Sequence, residues 1–189
     1  MSERRTKVLH LSTEGCIGYE NFDAGVKELN ACMKYLKKMC ERNEGYSAIA
    51  IGGVSENSKE NGRFELGYRN ERVFVPDKGS KIKYMPVHIH LCILANPGET
   101  IAQNLVKYFT KKHGSKILWC KPLKNEMHLI NMGPYILYQS RKYRTVKIRI
   151  DTFTDDEIFR FCSSFNTADI SRNGDGNLFK IDFENKNFL

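Results

Sequence analysis

Apolar and polar residues alternate along residues 87–94, which read Val-His-Ile-His-Leu-Cys-Ile-Leu. A period of two predicts a β-strand, because successive side chains of a strand point to opposite faces of a sheet. One face of this strand would carry only aliphatic side chains. The other would carry both His88 and His90, so that two imidazoles stand side by side on a rigid element.

The remaining pattern predicts several strands and helices around this histidine strand. Short apolar runs mark the strands, and apolar residues at a spacing of three to four mark the helices. Two helix starts are signalled locally, by Gly133-Pro134 and by the capping-box pattern Thr154-Asp-Asp-Glu157. The predicted elements are strands over 7–12, 46–54 (ending at Gly52-Gly53), 117–120 and 145–150, and helices over 23–42, from 101 to 113, after 133 and after 154.

Length and composition fit one compact domain with a substantial core, since the chain has 189 residues and a mass of 21.9 kDa. Residues 57–83 are polar and rich in Gly, Asn and Lys, which predicts a flexible hairpin insertion. Residues 151–189 are expected to form a C-terminal helix and an acidic tail, packed on or trailing the same domain.

Positive charge is concentrated in one part of the chain. The net charge is +8, and residues 103–149 contain eleven Lys or Arg against one acid, whereas residues 151–189 contain eight acids against four bases. Such a basic block attracts phosphates, and interleaved aromatic residues offer stacking surfaces for unpaired bases. The aromatic candidates are Tyr108, Trp119 and Tyr143. The candidate DNA-binding residues are Lys107, Lys111, Lys112, Lys116, Arg141, Lys142 and Arg144.

Several classes of protein are disfavoured. The sequence has no run of 18 apolar residues and no signal-peptide pattern at its start, so we expect a soluble, cytoplasmic protein of a cell or host cell that has no membrane partner. Its six cysteines lack any Cys-x-x-Cys spacing and read as reduced thiols in the core. No phosphate-binding loop of the Gly-x-x-x-x-Gly-Lys-Ser/Thr type is present, which excludes a built-in helicase of that kind.

Two segments carry candidate chemistry. Two histidines two residues apart on a strand can share one metal ion. A helix that starts at Gly133-Pro134 would place four functional side chains on one face, at i, i+3, i+4 and i+7. These are Tyr135, Tyr138, Gln139 and Lys142. The other histidines, His10, His113 and His128, are assigned to structural or exposed positions.

Together these two segments resemble the defining parts of the HUH endonucleases, the family of replication initiators, relaxases and single-tyrosine transposases that nick single-stranded DNA. His88-Ile89-His90 matches the family's His-hydrophobic-His strand, and Tyr135-Ile-Leu-Tyr138-Gln139 matches its tyrosine helix. The Tyr-x-x-x-Gln spacing is that of the transposases, whereas many small initiators have Tyr-x-x-Lys, and Tyr138 stands where that lysine would be. The resemblance covers roughly residues 5 to 150 and is greatest to a small rolling-circle replication initiator.

The resemblance implies an α+β fold, with an antiparallel central sheet flanked by helices, of the HUH, ferredoxin-like or RRM-like kind. It implies a nuclease domain over residues 1–150 and a metal-dependent endonuclease that nicks and rejoins single-stranded DNA through a covalent 5′-phosphotyrosine. Mn²⁺ or Mg²⁺ would be the cofactor. Single-stranded or hairpin origin DNA would be the substrate, and a host helicase and polymerase would be partners in DNA replication.

The resemblance leaves two assignments open. Tyr135 is the expected nucleophile, with Tyr138 as the alternative. His88 and His90 would bind the metal together with either Gln139, one helical turn after Tyr135, or Glu56, which ends the strand expected to pair with the histidine strand. Two other functions also remain: a single-tyrosine transposase of the same chemistry, and a non-catalytic basic nucleic-acid-binding protein whose histidines hold structural zinc.

Overall fold

The computed structural model describes residues 6–14, 16–55, 62–66, 72–76, 87–114, 119–124, 129, 132, 136, 142–166, 181–182 and 187–188. The strands in these ranges are β1 (Lys7–Ser12), β2 (Ser47–Ser55), β3 (Gly62–Leu66), β4 (Arg72–Pro76), β5 (His88–Asn96), β6 (Trp119–Pro122), β7 (Lys142–Ile148), β8 (Ile181–Asp182) and β9 (Asn187–Phe188). The helices are α1 (Phe22–Arg42), α2 (Gly98–His113) and α3 (Asp155–Asn166), with a 3₁₀ turn at Ile150–Thr152.

Five strands form one antiparallel sheet in the order β6-β1-β5-β2-β7. The first part of this sheet follows the connectivity β1-α1-β2-β5-α2-β6, which is the split β-α-β arrangement of ferredoxin-like folds. β5, the histidine strand, lies at the centre between β1 and β2. The prediction of an α+β fold with an antiparallel sheet flanked by helices is confirmed.

One face of the sheet, which we call the helical face, is covered by α1 and α2. Ile89 and Leu91 of β5 pack there in a single apolar cluster with Leu29 and Leu36 of α1 and Phe109 of α2. These side chains are completely buried. Burial of apolar area at this scale is the main stabilising contribution to a fold of this size. The helical face therefore fixes how β5 is oriented.

The opposite face carries His88 and His90, and we call it the histidine face. The end of this face that lies farther from the two histidines is apolar. There, Ile49 of β2 and Leu94 of β5 pack against Phe153 and against Phe161 of α3. The side chain of Ile136, from a residue in helical conformation, is buried in the same cluster. Helical chain thus covers both faces of the sheet.

Gly52 lies inside β2 and does not end it, so the prediction that this strand ends at Gly52-Gly53 is wrong. A Cβ atom at position 52 would come within 2.7 Å of Cδ1 of Leu29 and 2.9 Å of Cγ of Leu91. The glycine is required because α1 packs closely against the sheet at this point. The strand continues to Ser55, which pairs with His88.

The prediction that Lys142 lies on the same helix face as Tyr135 is also wrong. Lys142 is the first residue of β7 and pairs with Val54 of β2. The edge strand covers Lys142–Ile148, where residues 145–150 were expected. Tyr143, Thr145 and Val146 are residue types that favour strands. The strand therefore begins at Lys142, where the helical spacing predicted a helix.

The capping-box prediction for the C-terminal helix is confirmed. Oγ1 of Thr154 accepts a hydrogen bond from the backbone N–H of Glu157 at 3.2 Å, and Oε2 of Glu157 accepts one from the backbone N–H of Thr154 at 2.9 Å. These reciprocal bonds satisfy two backbone donors that a helix start leaves open.

The expectation that the cysteines are not disulfide-bonded is met, and a second finding concerns the described helices. All six cysteines are free thiols, and five of them are buried. None of the described helices combines the length and apolar character that a membrane span requires.

Arg149 connects the end of the sheet to the end of α1. It adopts a left-handed backbone conformation with φ of 50° directly after β7. Its Nη1 donates to the backbone carbonyls of Asn43 and Tyr46, each at 3.0 Å, and to that of Cys40. A cation on the last carbonyls of a helix compensates the helix dipole and satisfies acceptors that the helix cannot pair.

We expect Arg149→Ala to lower the free energy of unfolding by about 2–3 kcal/mol, because partly buried carbonyls lose a charged donor. Lys27→Ala is the matched control, since Lys27 is an exposed base on α1, and it should change stability by less than about 0.5 kcal/mol. Urea unfolding followed by circular dichroism measures both. Equal stability of the two variants would contradict a capping role for Arg149.

Candidate metal centre

His88 and His90 lie at the start of β5 with almost no solvent exposure, 3% and 0% respectively. Their ring centroids are 4.8 Å apart and their planes are nearly perpendicular, at 78°. Two imidazoles on one face of a central strand are held by the sheet itself, so their spacing does not depend on a loop. The predicted histidine face is therefore present.

Glu14 reaches the same place from the segment that follows β1. Oγ of Ser12 accepts a hydrogen bond from the backbone N–H of Glu14 at 3.1 Å, which bends the chain just after the strand. Thr13 is paired with Ile89, the residue between the two histidines: its N–H donates to the Ile89 carbonyl at 3.1 Å, and its Oγ1 accepts from the Ile89 N–H at 3.0 Å. These bonds fix Glu14 beside the histidine pair.

Glu14, His88 and His90 form a possible ligand set. One donor atom of each lies within 4.8 Å of the other two, and Nε2 of His90 is 3.8 Å from Oε2 of Glu14. That distance is too long for a direct hydrogen bond. Donors that each lie about 2.1 Å from one ion are at most about 4.2 Å apart, so a small rotation of the partly exposed Glu14 side chain would complete the set.

The donor types restrict which metal fits. Imidazole nitrogen suits transition metals, and carboxylate oxygen suits Mg²⁺ and Mn²⁺. Two nitrogens with one oxygen favour Mn²⁺ among the two ions expected from the sequence. Cys92 lies on the same face, but burial raises the pKa of its thiol, so that it remains protonated and packs in the apolar cluster.

His10 of β1 lies against His90, although the sequence assigned it to a structural or exposed position. Its Nε2 is 3.4 Å from Nδ1 of His90. Burial lowers the pKa of His10 to about 4, and the nearby Glu14 carboxylate opposes this only in part. The ring is therefore neutral at pH 7.

Ser55 faces the histidines from the other neighbouring strand. It pairs with His88 in the β2–β5 register and is 2% exposed. Within the described part of the chain its buried Oγ has no hydrogen-bond partner. A buried hydroxyl in this condition is stabilised by an external partner such as a water molecule or a ligand oxygen.

Several predicted site residues lie outside the described residues. They are Tyr135, Tyr138, Gln139, Glu56, Lys116 and Arg141. Their assignments as nucleophile, third ligand or DNA contact stay predictions. Ile136, the chain neighbour of Tyr135, is buried on the histidine face in the cluster that includes Cys92 and Leu94.

The predicted DNA-binding residues of α2 lie on the helical face, on the opposite side of the sheet from His88 and His90. Lys107 and Lys111 are exposed there. Lys112 donates to the buried carboxylate of Glu28, with 2.7 Å between Nζ and Oε2. The positive charge of Lys112 is therefore paired with a carboxylate of the protein itself.

Two more residues of the basic block face α1. Nε of Arg144 donates to Oδ1 of Asn30 at 2.9 Å. Tyr108, a predicted stacking residue, is already stacked on Tyr35, with ring centroids 4.3 Å apart. The structure does not bring these residues to the candidate metal centre.

Two lysines that were counted in the basic block, but not singled out, belong to the histidine face. Lys121 of β6 pairs with His10, and Lys147 of β7 pairs with Ile49. Both are exposed. Residues directly opposite each other in an antiparallel pair share a face, so Lys121 lies level with Cys92 and Lys147 lies level with Leu94 at the apolar end of that face.

Glu14 and His10 are the residues that sequence reasoning missed. A signal for them was available. In a split β-α-β fold the first strand pairs antiparallel with the histidine strand, so the end of residues 7–12 must meet the start of residues 87–94. Polar residues on and just after the first strand then become candidates for the site.

No protein-family model, curated protein or solved structure matches this chain. The resemblance to HUH endonucleases therefore rests on the residues of the two motifs.

Proposed function

We propose that this protein is a metal-dependent endonuclease that nicks and rejoins single-stranded DNA. The observation that carries the proposal is the convergence of Glu14, His88 and His90 on one face of a ferredoxin-like sheet. The chain that leads into Ile136, which is buried on the same face, contains the candidate nucleophile Tyr135.

The ligand set favours a catalytic over a structural metal. Structural zinc is held by four protein ligands in a closed shell, whereas catalytic sites keep a position open for substrate. Three donors come together among the described residues, and one of them, Glu14, is partly exposed. The polar neighbourhood extends to Ser55, whose buried hydroxyl would donate to a phosphate oxygen. These features favour an enzyme over a non-catalytic DNA-binding protein.

The chemistry would be a transesterification at phosphorus. The bound ion would supply positive charge to the non-bridging oxygens of the scissile phosphate. The phenolic oxygen of Tyr135 would form a bond to phosphorus as it loses its proton to water, and the bond from phosphorus to the 3′ oxygen would break as that oxygen takes up a proton from water, leaving a free 3′-hydroxyl. His88 and His90, as neutral ligands, would leave the net positive charge of the site to act on the phosphate.

The phosphotyrosine bond conserves the energy of the phosphodiester, because the reverse attack by a 3′-hydroxyl restores the strand. This reversibility suits initiation of rolling-circle replication of a plasmid, phage or virus, in the cytoplasm of a cell or host cell. A host helicase and polymerase would then extend the free 3′ end. The same chemistry serves a single-tyrosine transposase, which remains the alternative.

Lys121 and Lys147 are described bases on the histidine face, and we expect them to contribute to the affinity for a single strand. A single strand bound in a groove on this face would meet Lys121 level with Cys92 and Lys147 level with Leu94, two and four residues along β5 from His90. The stacking and phosphate contacts of such a groove are largely independent of sequence.

We expect His88→Ala and His90→Ala each to abolish cleavage of a labelled single-stranded oligonucleotide in Mn²⁺ while most of the binding remains, because the ion serves chemistry and the lysines serve affinity. Mn²⁺ titration calorimetry should show lost metal binding in both variants. His113→Gln is the control, since His113 contacts Glu28 on the helical face. Cleavage at the parental rate by either alanine variant would refute the centre.

The nucleophile is tested by adduct formation. Tyr135→Phe should abolish the covalent protein–DNA adduct without weakening oligonucleotide binding, because only the phenolic oxygen is removed. Tyr138→Phe should retain the adduct. Mass spectrometry of the trapped peptide identifies the modified residue directly, and DNA attached at Tyr138 would reverse the assignment.

DNA affinity should depend on which face a lysine occupies. We expect Lys121→Ala to weaken binding and to reduce the slope of log affinity against log salt by about one. Lys107→Ala removes the same charge from the helical face and should leave the slope unchanged. Fluorescence anisotropy at several salt concentrations measures both, and a larger effect at Lys107 would place the strand on the helical face.

A further inference from the structure

The His10–His90 pair has the geometry of a hydrogen bond in the plane of both rings. The ring centroids are 5.6 Å apart, the planes differ by 9°, and Nε2 of His10 lies 3.4 Å from Nδ1 of His90. In a five-membered ring with bonds near 1.33 Å, each nitrogen lies about 1.1 Å from the centroid. Two such nitrogen–centroid distances, one for each ring, added to the 3.4 Å between the nitrogens give the observed centroid distance of 5.6 Å.

This agreement means that both nitrogens lie on the line that joins the centroids. This line therefore lies in the plane of each ring. Because the two ring planes share the line and differ by only 9°, the rings are nearly coplanar. The rings meet edge to edge and are not stacked face to face. A lone pair of an imidazole nitrogen lies in the ring plane, so this arrangement suits N–H···N bonding.

The two nitrogens of His90 therefore have different partners. Nδ1 faces His10, while Nε2 lies 3.8 Å from Oε2 of Glu14 within the candidate ligand set. A histidine that binds a metal through one nitrogen must carry its proton on the other, and that proton is donated to a second residue in almost all metal sites. His10 is the residue that faces this nitrogen.

The β1–β5 pairing explains why His10 can do this. In the register His10 lies opposite Cys92, so that His90 is its diagonal neighbour on the same face. Diagonal neighbours in an antiparallel pair are within reach of ring side chains. The backbone of two paired strands thus sets the distance between the rings.

We propose that His10 is a positioning residue, which accepts a hydrogen bond from Nδ1–H of His90 and holds that ring so that the Nε2 lone pair faces the ion shared with Glu14. The inference deepens the proposed function, because it rests on the metal centre described above. It assigns His10 no contact with the ion or the DNA.

Two substitutions separate this role from simple packing. His10→Leu replaces the half-buried ring with an apolar side chain and removes the acceptor, whereas His10→Gln places a carbonyl oxygen near the position of Nε2. We expect His10→Leu to weaken Mn²⁺ binding 10- to 100-fold, the range typical when a partner of a metal-ligating histidine is lost. His10→Gln should recover most of that affinity.

Cys92→Ala is the matched control. Cys92 lies opposite His10, two residues from His90 on the same face, so the variant disturbs packing without removing the hydrogen bond. It should bind Mn²⁺ within a few-fold of the parent protein. Circular dichroism establishes that every compared variant is folded. Parental affinity in folded His10→Leu, failure of His10→Gln to recover it, or an equal loss in Cys92→Ala would overturn the proposal.

Nuclear magnetic resonance of the ring nitrogens provides a readout that does not require nicking. Long-range ¹H–¹⁵N correlation should show His90 protonated on Nδ1 in the parent protein, both metal-free and with Zn²⁺ as a diamagnetic probe, and a mixture of tautomers in metal-free His10→Leu. A proton on Nε2 of His90 in the parent, or the same tautomer in both proteins, would refute the role of His10. Absence of metal binding by the parent would instead refute the metal centre, and the metal-free spectra would still decide the hydrogen bond.

Discussion

The pairing of β5 with β1 and β2 is the constraint on which the candidate centre depends. β5 lies in the middle of the sheet, and its two neighbours bring Glu14 and Ser55 to the two sides of the histidine pair. A shift of one residue in this register would turn both histidines into the core under α1 and α2. Burial of Ile89 and of the other aliphatic residues on the helical face prevents that shift, so hydrophobic packing on one face orients the chemistry of the other.

The histidine face is divided into an apolar end and a polar end. Leu94 and Phe161 fill the first, while the ionisable and hydroxyl groups gather at the second. Burial of an imidazole carries a desolvation cost, whereas an apolar pair at positions 88 and 90 would extend the cluster that already exists. A concentration of polar groups where packing alone would favour aliphatic residues is typical of a functional site.

The sequence predicted the histidine strand, α1 and α2 because each depends on a local period, while the α+β class was implied by the resemblance to HUH endonucleases. It did not predict what depends on pairing between distant segments. Glu14 and His10 reach the centre only through the β1–β5 register. Lys142 was predicted to be helical because the spacing of side chains does not show where a helix ends. Its pairing with Val54 makes it part of a strand. The continuation of β2 through Gly52 likewise reflects the approach of α1, a contact that no local pattern encodes.

The basic block shows why charge in a sequence overstates the charge available to a ligand. Arg149 is held by carbonyls at the end of α1, and Lys112 is held by Glu28, which is buried between the helices. These cations stabilise the helical face, and their number along the chain says nothing about where a polyanion binds. Lys121 and Lys147 lie on the edge strands of the histidine face because of their strand position and register. The same β-pairing that brings the candidate ligands together therefore also decides which lysines share their face.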